Sequence, residues 1–240
     1  MKKADKKQKK QSEPASKPAI VFDFDGTLMD TDPAVIVSYR YLFDKYKKAE
    51  QFTQETEFEV TDEVPAKIMK KYFPRKNTEK CVYEYLIYQH DHMRDLIQPM
   101  KDVETLLAYL KKQGYPVLLV SGRNEESLYA LLDSSGLTGY FDQITALQNN
   151  DNLESGEMQS TDLVNACKAV NAEHAVYISD NAANIAAARA GGAFTVGFLS
   201  DTRKTAHLVE AGPDFMTGEM LQIKKLLNGE PYWMAYELTQ

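Results

Sequence analysis

Residues 19–31 read AIVFDFDGTLMDT, and this stretch decides the fold. Ile20, Val21 and Phe22 are strand formers and read as buried. Asp23 and Asp25 then emerge at the strand's end, on the same side of a backbone whose side chains alternate between faces. Two close carboxylates repel. That cost is tolerated where a cation sits between them, or where one acid holds a proton while the other attacks. Gly26 permits a sharp turn directly afterwards.

From this strand outward, β-type and α-type patterns alternate. PVLLVSG (116–122) is a second strand, preceded by the helical VETLLAYLKKQG (103–114) with Gly114 as its stop. A helix over 124–135, a short strand in FDQITA (141–146) and a helix over 161–171 come next. AVYISD (175–180) and AFTVGF (193–198) are strands separated by the Ala-rich helix NIAAARAGG. This rhythm predicts an α/β fold with helices on a doubly wound parallel sheet.

Residues 32–98 break the rhythm. They carry only helical periodicity, in PAVIVSYRYLFDKY, DEVPAKIMKKYF and TEKCVYEYLIYQHDHMRDLI, and they are far longer than the ~10–12 residues a crossover needs. A helical insert is predicted over 32–98, leaving 19–31 and 99–240 as the core. Its Tyr39, Tyr41, Tyr83, Tyr85 and Tyr88 recur at helical spacing, which favours packing over a ligand cleft.

The net charge of −7 is unevenly distributed. Residues 1–18 carry seven Lys against Asp5 and Glu13, or +5, so the rest of the chain stands at −12. That Lys-, Gln-, Ser- and Pro-rich tail lacks a signal-peptide core and is expected to be disordered. With basic character confined to the tail, specific nucleic-acid binding is not expected. No apolar stretch approaches the ~20 residues of a membrane span. Cys81 and Cys167 are too few for a disulfide framework and suggest a reducing, cytoplasmic setting.

In parallel α/β sheets the ligand site forms beyond the carboxyl ends of the strands. The polar residues there are Asp23 with Asp25, Ser121 with Gly122 and Arg123, and Asp180 with Asn181, and all are expected to converge. Three acids make an oxygen-rich pocket suited to Mg²⁺. Ser121 and the backbone amides around Gly122 supply donors for phosphate oxygens.

DFDGTL (23–28), VSGR (120–123) and ISDNAANIAAARAGG (178–192) resemble the first, second and fourth motifs of the haloacid dehalogenase superfamily. The helical insert resembles that superfamily's α-helical cap, as in phosphoglycolate phosphatase-like and β-phosphoglucomutase-like members. The resemblance implies a Rossmann-like core and a Mg²⁺-dependent phosphatase acting on a small phosphorylated metabolite. Asp23 would be the nucleophile and Asp25 the general acid and base. Thr27 and Ser121 would orient phosphate oxygens, and Asp23, the carbonyl of Asp25, and Asp180 would hold the metal. The retained Asp25 favours phosphate over carbon chemistry, because dehalogenating members lack this second acid.

Two positions depart from the family's pattern. Glu157 stands where the third motif places a Lys, so Lys168, Arg123 and Lys204 are alternatives for that charge. Asn184 stands where many members carry a second acid, and it keeps a hydrogen bond without the charge. These departures favour an alternative: a catalytically weakened relative that binds a phosphorylated ligand or protein partner. His90, Asp91 and His92 do not share a helix face and read as exposed surface. His174 and His207 lack a partner motif, and Tyr232 and Trp233 are open between folding back and meeting another subunit.

Overall fold

The computed structural model describes residues 17–148 and 157–229, together with Tyr236 and Leu238. The expected tail falls almost wholly outside these residues, as do Tyr232 and Trp233. A six-stranded sheet forms from β1 (Ala19–Phe22), β4 (Val117–Asn124), β5 (Gln143–Gln148), β6 (Ala175–Ser179), β7 (Phe194–Phe198) and β8 (Phe215–Thr217), in the order β5-β4-β1-β6-β7-β8. All neighbours are parallel, as the alternating rhythm predicts. From β1 the chain builds outward through β4 and β5, then returns to β6 on the other flank. Strand order therefore reverses beside β1, the point at which such sheets open a crevice at their carboxyl edge.

Register brings the site together. Phe22 pairs with Leu119 on one side and with Ile178 on the other. Asp23 is thus level with Val120 and Ser179, and the turns carrying Ser121 and Asp180 start at the same height. β1 is fully buried. Ile20 and Phe22 pack with Leu106, Leu110 and Ile223 on one face, while Ala19 and Val21 pack with Leu163, Tyr177 and Ile185 on the other. Each fully buried large apolar side chain contributes about 1.5–3 kcal/mol, so the strand that delivers Asp23 is anchored from both sides.

The insert leaves and re-enters through a short antiparallel ribbon, β2 (Met29–Asp30) against β3 (Gln98–Pro99). Between them lie α1 (Asp32–Lys45), α2 (Gln54–Asp62), α3 (Pro65–Tyr72) and α4 (Thr78–His92). These helices have their own apolar cluster, including Tyr39, Leu42, Phe43, Ile68, Met69 and Val82. The sequence pattern shows three helical stretches and misses α2. Its residues QETEFEVTD bury only Thr56 and Val60, too few to produce a visible apolar face, and it is set by the Thr53 hydroxyl accepting from the Thr56 amide at 3.3 Å. Tyr39 and Tyr85 are core, with ring centroids 4.6 Å apart. Tyr41 and Tyr88 stack at 3.9 Å, and Tyr83 is exposed.

Flanking the sheet are α5 (Val103–Gln113), α6 (Glu125–Ser134), α7 (Ser160–Ala169), α8 (Ala182–Ala190), α9 (Thr205–Ala211) and α10 (Met220–Leu227). The elements after β7 lie beyond those the sequence pattern marks. Among the described residues no helix is long and apolar enough to cross a membrane, and both cysteines are free and buried.

Candidate active site

Asp23 follows the last residue of β1 and is 5% exposed. Its Oδ1 accepts from the Phe24 amide at 2.7 Å, and its Oδ2 accepts from Ser179 Oγ at 2.7 Å and Asn184 Nδ2 at 2.9 Å. Burial, followed by the neighbouring Asp180 carboxylate, pushes the Asp23 carboxyl up to about 7 despite the hydrogen bonds from Ser179 and Asn184. Asn184 thus serves as a neutral donor to the Asp23 carboxylate. Ser179 is a site residue the sequence reading missed. As the last residue of a buried strand it carries no spacing signal of its own.

Asp180 follows β6 and is more fully engaged. Its Oδ2 accepts from Lys204 Nζ at 2.6 Å and Ser200 Oγ at 2.9 Å. Thr27 Oγ1 accepts from the Asp180 amide at 3.0 Å and donates to its Oδ1 at 3.4 Å. The fully buried Thr27 hydroxyl, expected on phosphate, is instead occupied with Asp180. Gly26 has a second reason for being glycine besides its φ of 66°. A Cβ there would lie 2.1 Å from the Asp180 carboxylate.

Asp25 is held differently. Arg123 grips it with two nitrogens, Nη2 to Oδ1 at 2.7 Å and Nε to Oδ2 at 3.0 Å. The same guanidinium lies over the Phe24 ring, and its Nη1 donates to Gln89 Oε1 of α4 at 2.9 Å. Burial opposes the Arg123 charge, but Asp25 outweighs it and raises the Arg123 pKa. Ser121 is buried, and its Oγ accepts from the Arg123 amide at 3.2 Å, fixing the turn that carries Gly122.

Asp23, Asp25, Gly122, Arg123, Asp180, Asn181 and Asn184 all line one cavity of about 820 Å³. Its opposite wall comes from the insert, including Val60, Asp62, Lys67, Tyr85 and Gln89. Several contacts span the two sides. Asn181 accepts from the Asn184 amide at the start of α8, and its Nδ2 donates to the Asp62 carbonyl at 3.1 Å. His207, which has no partner motif in the sequence, meets Asp62 Oδ2 at 3.0 Å. Glu157 is paired at 2.6 Å with Lys67 of α3, so this acid meets a cation from the insert. Only folding brings these two together, which is why the pairing has no trace in local sequence.

Of the alternatives for the missing charge, Lys168 is exposed on α7 and does not line the cavity. Its place within a helix pattern favours a solvated surface residue over a substitute for the charge, and its helix face does turn it to solvent. Arg123 is spent on Asp25. Lys204 reaches the site, but on Asp180. Of the three acids at the sheet edge, Asp25 and Asp180 are therefore ion-paired among the described residues, while Asp23 is held by neutral donors. Asp32 at the start of α1 also lines the cavity. Burial raises its carboxyl to about 6, with Lys204 opposing and Asp180 adding to the rise. His90 pairs with the adjacent Asp91 on the exposed surface, and His174 bonds the Tyr236 carbonyl.

The donor chemistry fits a hard divalent cation. The Asp180 carboxylate is close enough to help raise the Asp23 pKa, a repulsion that a cation between the two acids would relieve. Among the described residues Asp180 Oδ1 has only the long Thr27 contact, so it retains capacity to ligate. Among the described residues no three His, Cys, Asp or Glu side chains form a metal-holding group. A cation here would therefore rest on two carboxylates, with backbone, water and substrate oxygens completing its shell.

The family model described as haloacid dehalogenase-like hydrolase matches residues 20–198. Pyrophosphatase PpaX of Bacillus cereus is 26% identical over 211 residues, covering 87% of this chain and 95% of that protein. A haloacid dehalogenase-like family hydrolase from Streptococcus pneumoniae shares the fold with a TM-score of 0.77 at 17% identity, over 88% of this chain and 98% of that one. A structure described as a predicted phosphatase from Clostridium acetobutylicum gives 0.75 at 18% identity, over 89% and 99%. With the match running over most of its length, and the fold shared nearly end to end, this chain belongs to the haloacid dehalogenase-like hydrolases.

Proposed function

We propose that the protein is a Mg²⁺-dependent phosphatase that hydrolyses a small phosphorylated substrate through a phosphoaspartate on Asp23. The observation that carries this reading is the placement of Asp23: a buried carboxylate at the floor of the cavity, at the centre of the sheet's carboxyl edge, with Asp25 beside it. An Asp23 oxygen attacks phosphorus, the bond to the leaving oxygen breaks, and Asp25 gives that oxygen its proton. Asp25 then takes a proton from water as the water attacks phosphorus, releasing inorganic phosphate and restoring Asp23. Arg123 holds Asp25 in position throughout, and Ser121 with the Gly122 amide receives phosphate oxygens. Asp23, the Asp25 carbonyl and Asp180 would hold Mg²⁺, which when bound neutralises charge on the phosphoryl oxygens.

In this reading residues 32–98 act as a cap over a core of 19–31 and 99–240, excluding bulk water and selecting the leaving group. The separate apolar cluster of the insert and its wall of the cavity support that division. Pyrophosphate belongs in the substrate panel, because the Bacillus relative is named for it. The free, buried thiols support a reducing, cytoplasmic setting.

A second reading, a weakened relative that binds a phosphorylated ligand or protein, is favoured by Glu157 and by the absence of an ion-paired cation on Asp23 among the described residues. Phosphate release with Mg²⁺ over sugar phosphates, phosphoglycolate, nucleotides and pyrophosphate separates the two. Turnover that disappears in Asp23→Asn supports the phosphatase. No turnover on any of them, with tight binding of a phosphate analogue, supports the binder.

A further inference from the structure

Lys204 lies in the short turn Thr202–Lys204 between β7 and α9, a segment with no place in the motifs that mark this site. Its side chain is 4% exposed, and a buried ammonium is tolerated only when it is well paired. Its Nζ donates to Asp180 Oδ2 at 2.6 Å and to the Thr61 carbonyl at 3.2 Å. The first partner belongs to the sheet edge and the second to the end of α2 in the insert. Carboxylates from both sides favour its charge: Asp180 from the sheet, and Asp32 and Asp62 from the insert. Because Lys204 and Ser200 both occupy Asp180 Oδ2, they determine which oxygen of that carboxylate stays available.

We propose that Lys204 is a positioning residue that fixes Asp180 and at the same time ties the end of α2 to it, so that the cation balancing the buried carboxylates is in place only when the insert is seated. The chain thus supplies this charge from the turn after β7, and makes it conditional on closure. The turnover readout rests on the phosphatase reading above; the other two readouts do not.

Lys204→Met keeps the length of the side chain and removes the charge. Its kcat is expected to fall about 10²-fold with KM within about threefold, the size of loss seen when one well-placed electrostatic contact is removed. Calorimetric titration with Mg²⁺ alone should show binding retained or tightened, because a like charge has left the carboxylate. Amide exchange across Gln54–Asp62 should quicken. A kcat within threefold of wild type, exchange unchanged over that helix, or Mg²⁺ binding weakened in step with kcat would each overturn the inference. If Lys204→Met does not fold, Lys204→Ala with added ethylammonium decides: saturable recovery of turnover supports it, and no recovery overturns it. Asp23-dependent turnover that is intact in Lys204→Met removes this inference alone. Wild-type protein without turnover removes the phosphatase reading, and the Mg²⁺ and exchange measurements then decide the role of Lys204.

Discussion

The sheet edge and the helical insert build opposite walls of one cavity, by different physics. At the sheet edge, Asp23, Thr27, Ser121, Ser179 and Asp180 are all 5% exposed or less, and short contacts between core elements fix them. The insert meets that edge largely through polar groups that are in part exposed, Lys67 to Glu157, His207 to Asp62 and Asn181 to the Asp62 carbonyl, beside two more buried contacts, Arg123 to Gln89 and Lys204 to the Thr61 carbonyl. Contacts of the first kind are costly to break, because every member is left buried and unsatisfied. Exposed ion pairs contribute little each and exchange readily with water. One wall is therefore built as a fixed template and the other as a surface that can part from it.

The strongest way to break this comparison is to remove the template's chemistry. Asp23→Asn keeps the shape of the side chain, and turnover should fall by on the order of 10⁴ or more; a smaller loss in phosphate release would move the nucleophile elsewhere. Gly26→Ala attacks the template's geometry. The positive φ and the Asp180 carboxylate 2.1 Å from the new Cβ should together cost about 3 kcal/mol in denaturant unfolding. An unchanged midpoint would mean that the turn and Asp180 can part freely.

Protons sharpen the comparison further. The Asp23 carboxyl is raised from 3.8 to about 7 by burial and Asp180, so over that window the folded protein holds a proton that the unfolded chain has lost. Metal-free stability should therefore fall as pH rises from about 4 to 7. Mg²⁺ should raise the melting temperature more at pH 8 than at pH 5, and Asp23→Asn should flatten this component. The smallest effect is expected at the insert's wall. Lys67→Ala removes the pair with Glu157, whose side chains are 57% and 48% exposed, and an exposed i,i+4 pair with Glu63, and should shift unfolding by less than about 1 kcal/mol. A larger shift would show that the insert is bound as firmly as the sheet.

Legibility divides along the same line. β1, β4, β6 and β7 announce themselves as apolar runs ending in polar residues, and in a parallel sheet those ends lie on one edge, so Asp23, Asp25, Ser121 and Asp180 could be grouped before any coordinates. The helix α2 could not, because its few buried residues leave no periodic stripe. Ser179 is hidden by its position inside a strand, and Glu157 reads only as an acid where a Lys is expected, because Lys67, which pairs with it, lies far away in the chain.

What the sequence settled by itself is the order of elements and the identity of the groups at the strand ends, since both follow from local periodicity and from parallel strands sharing a direction. What only the tertiary structure decided is how charge is distributed among those groups: Arg123 on Asp25, Lys204 on Asp180, and neutral donors on Asp23. Pairing depends on distance through space and on burial, and neither quantity is written in spacing along a chain.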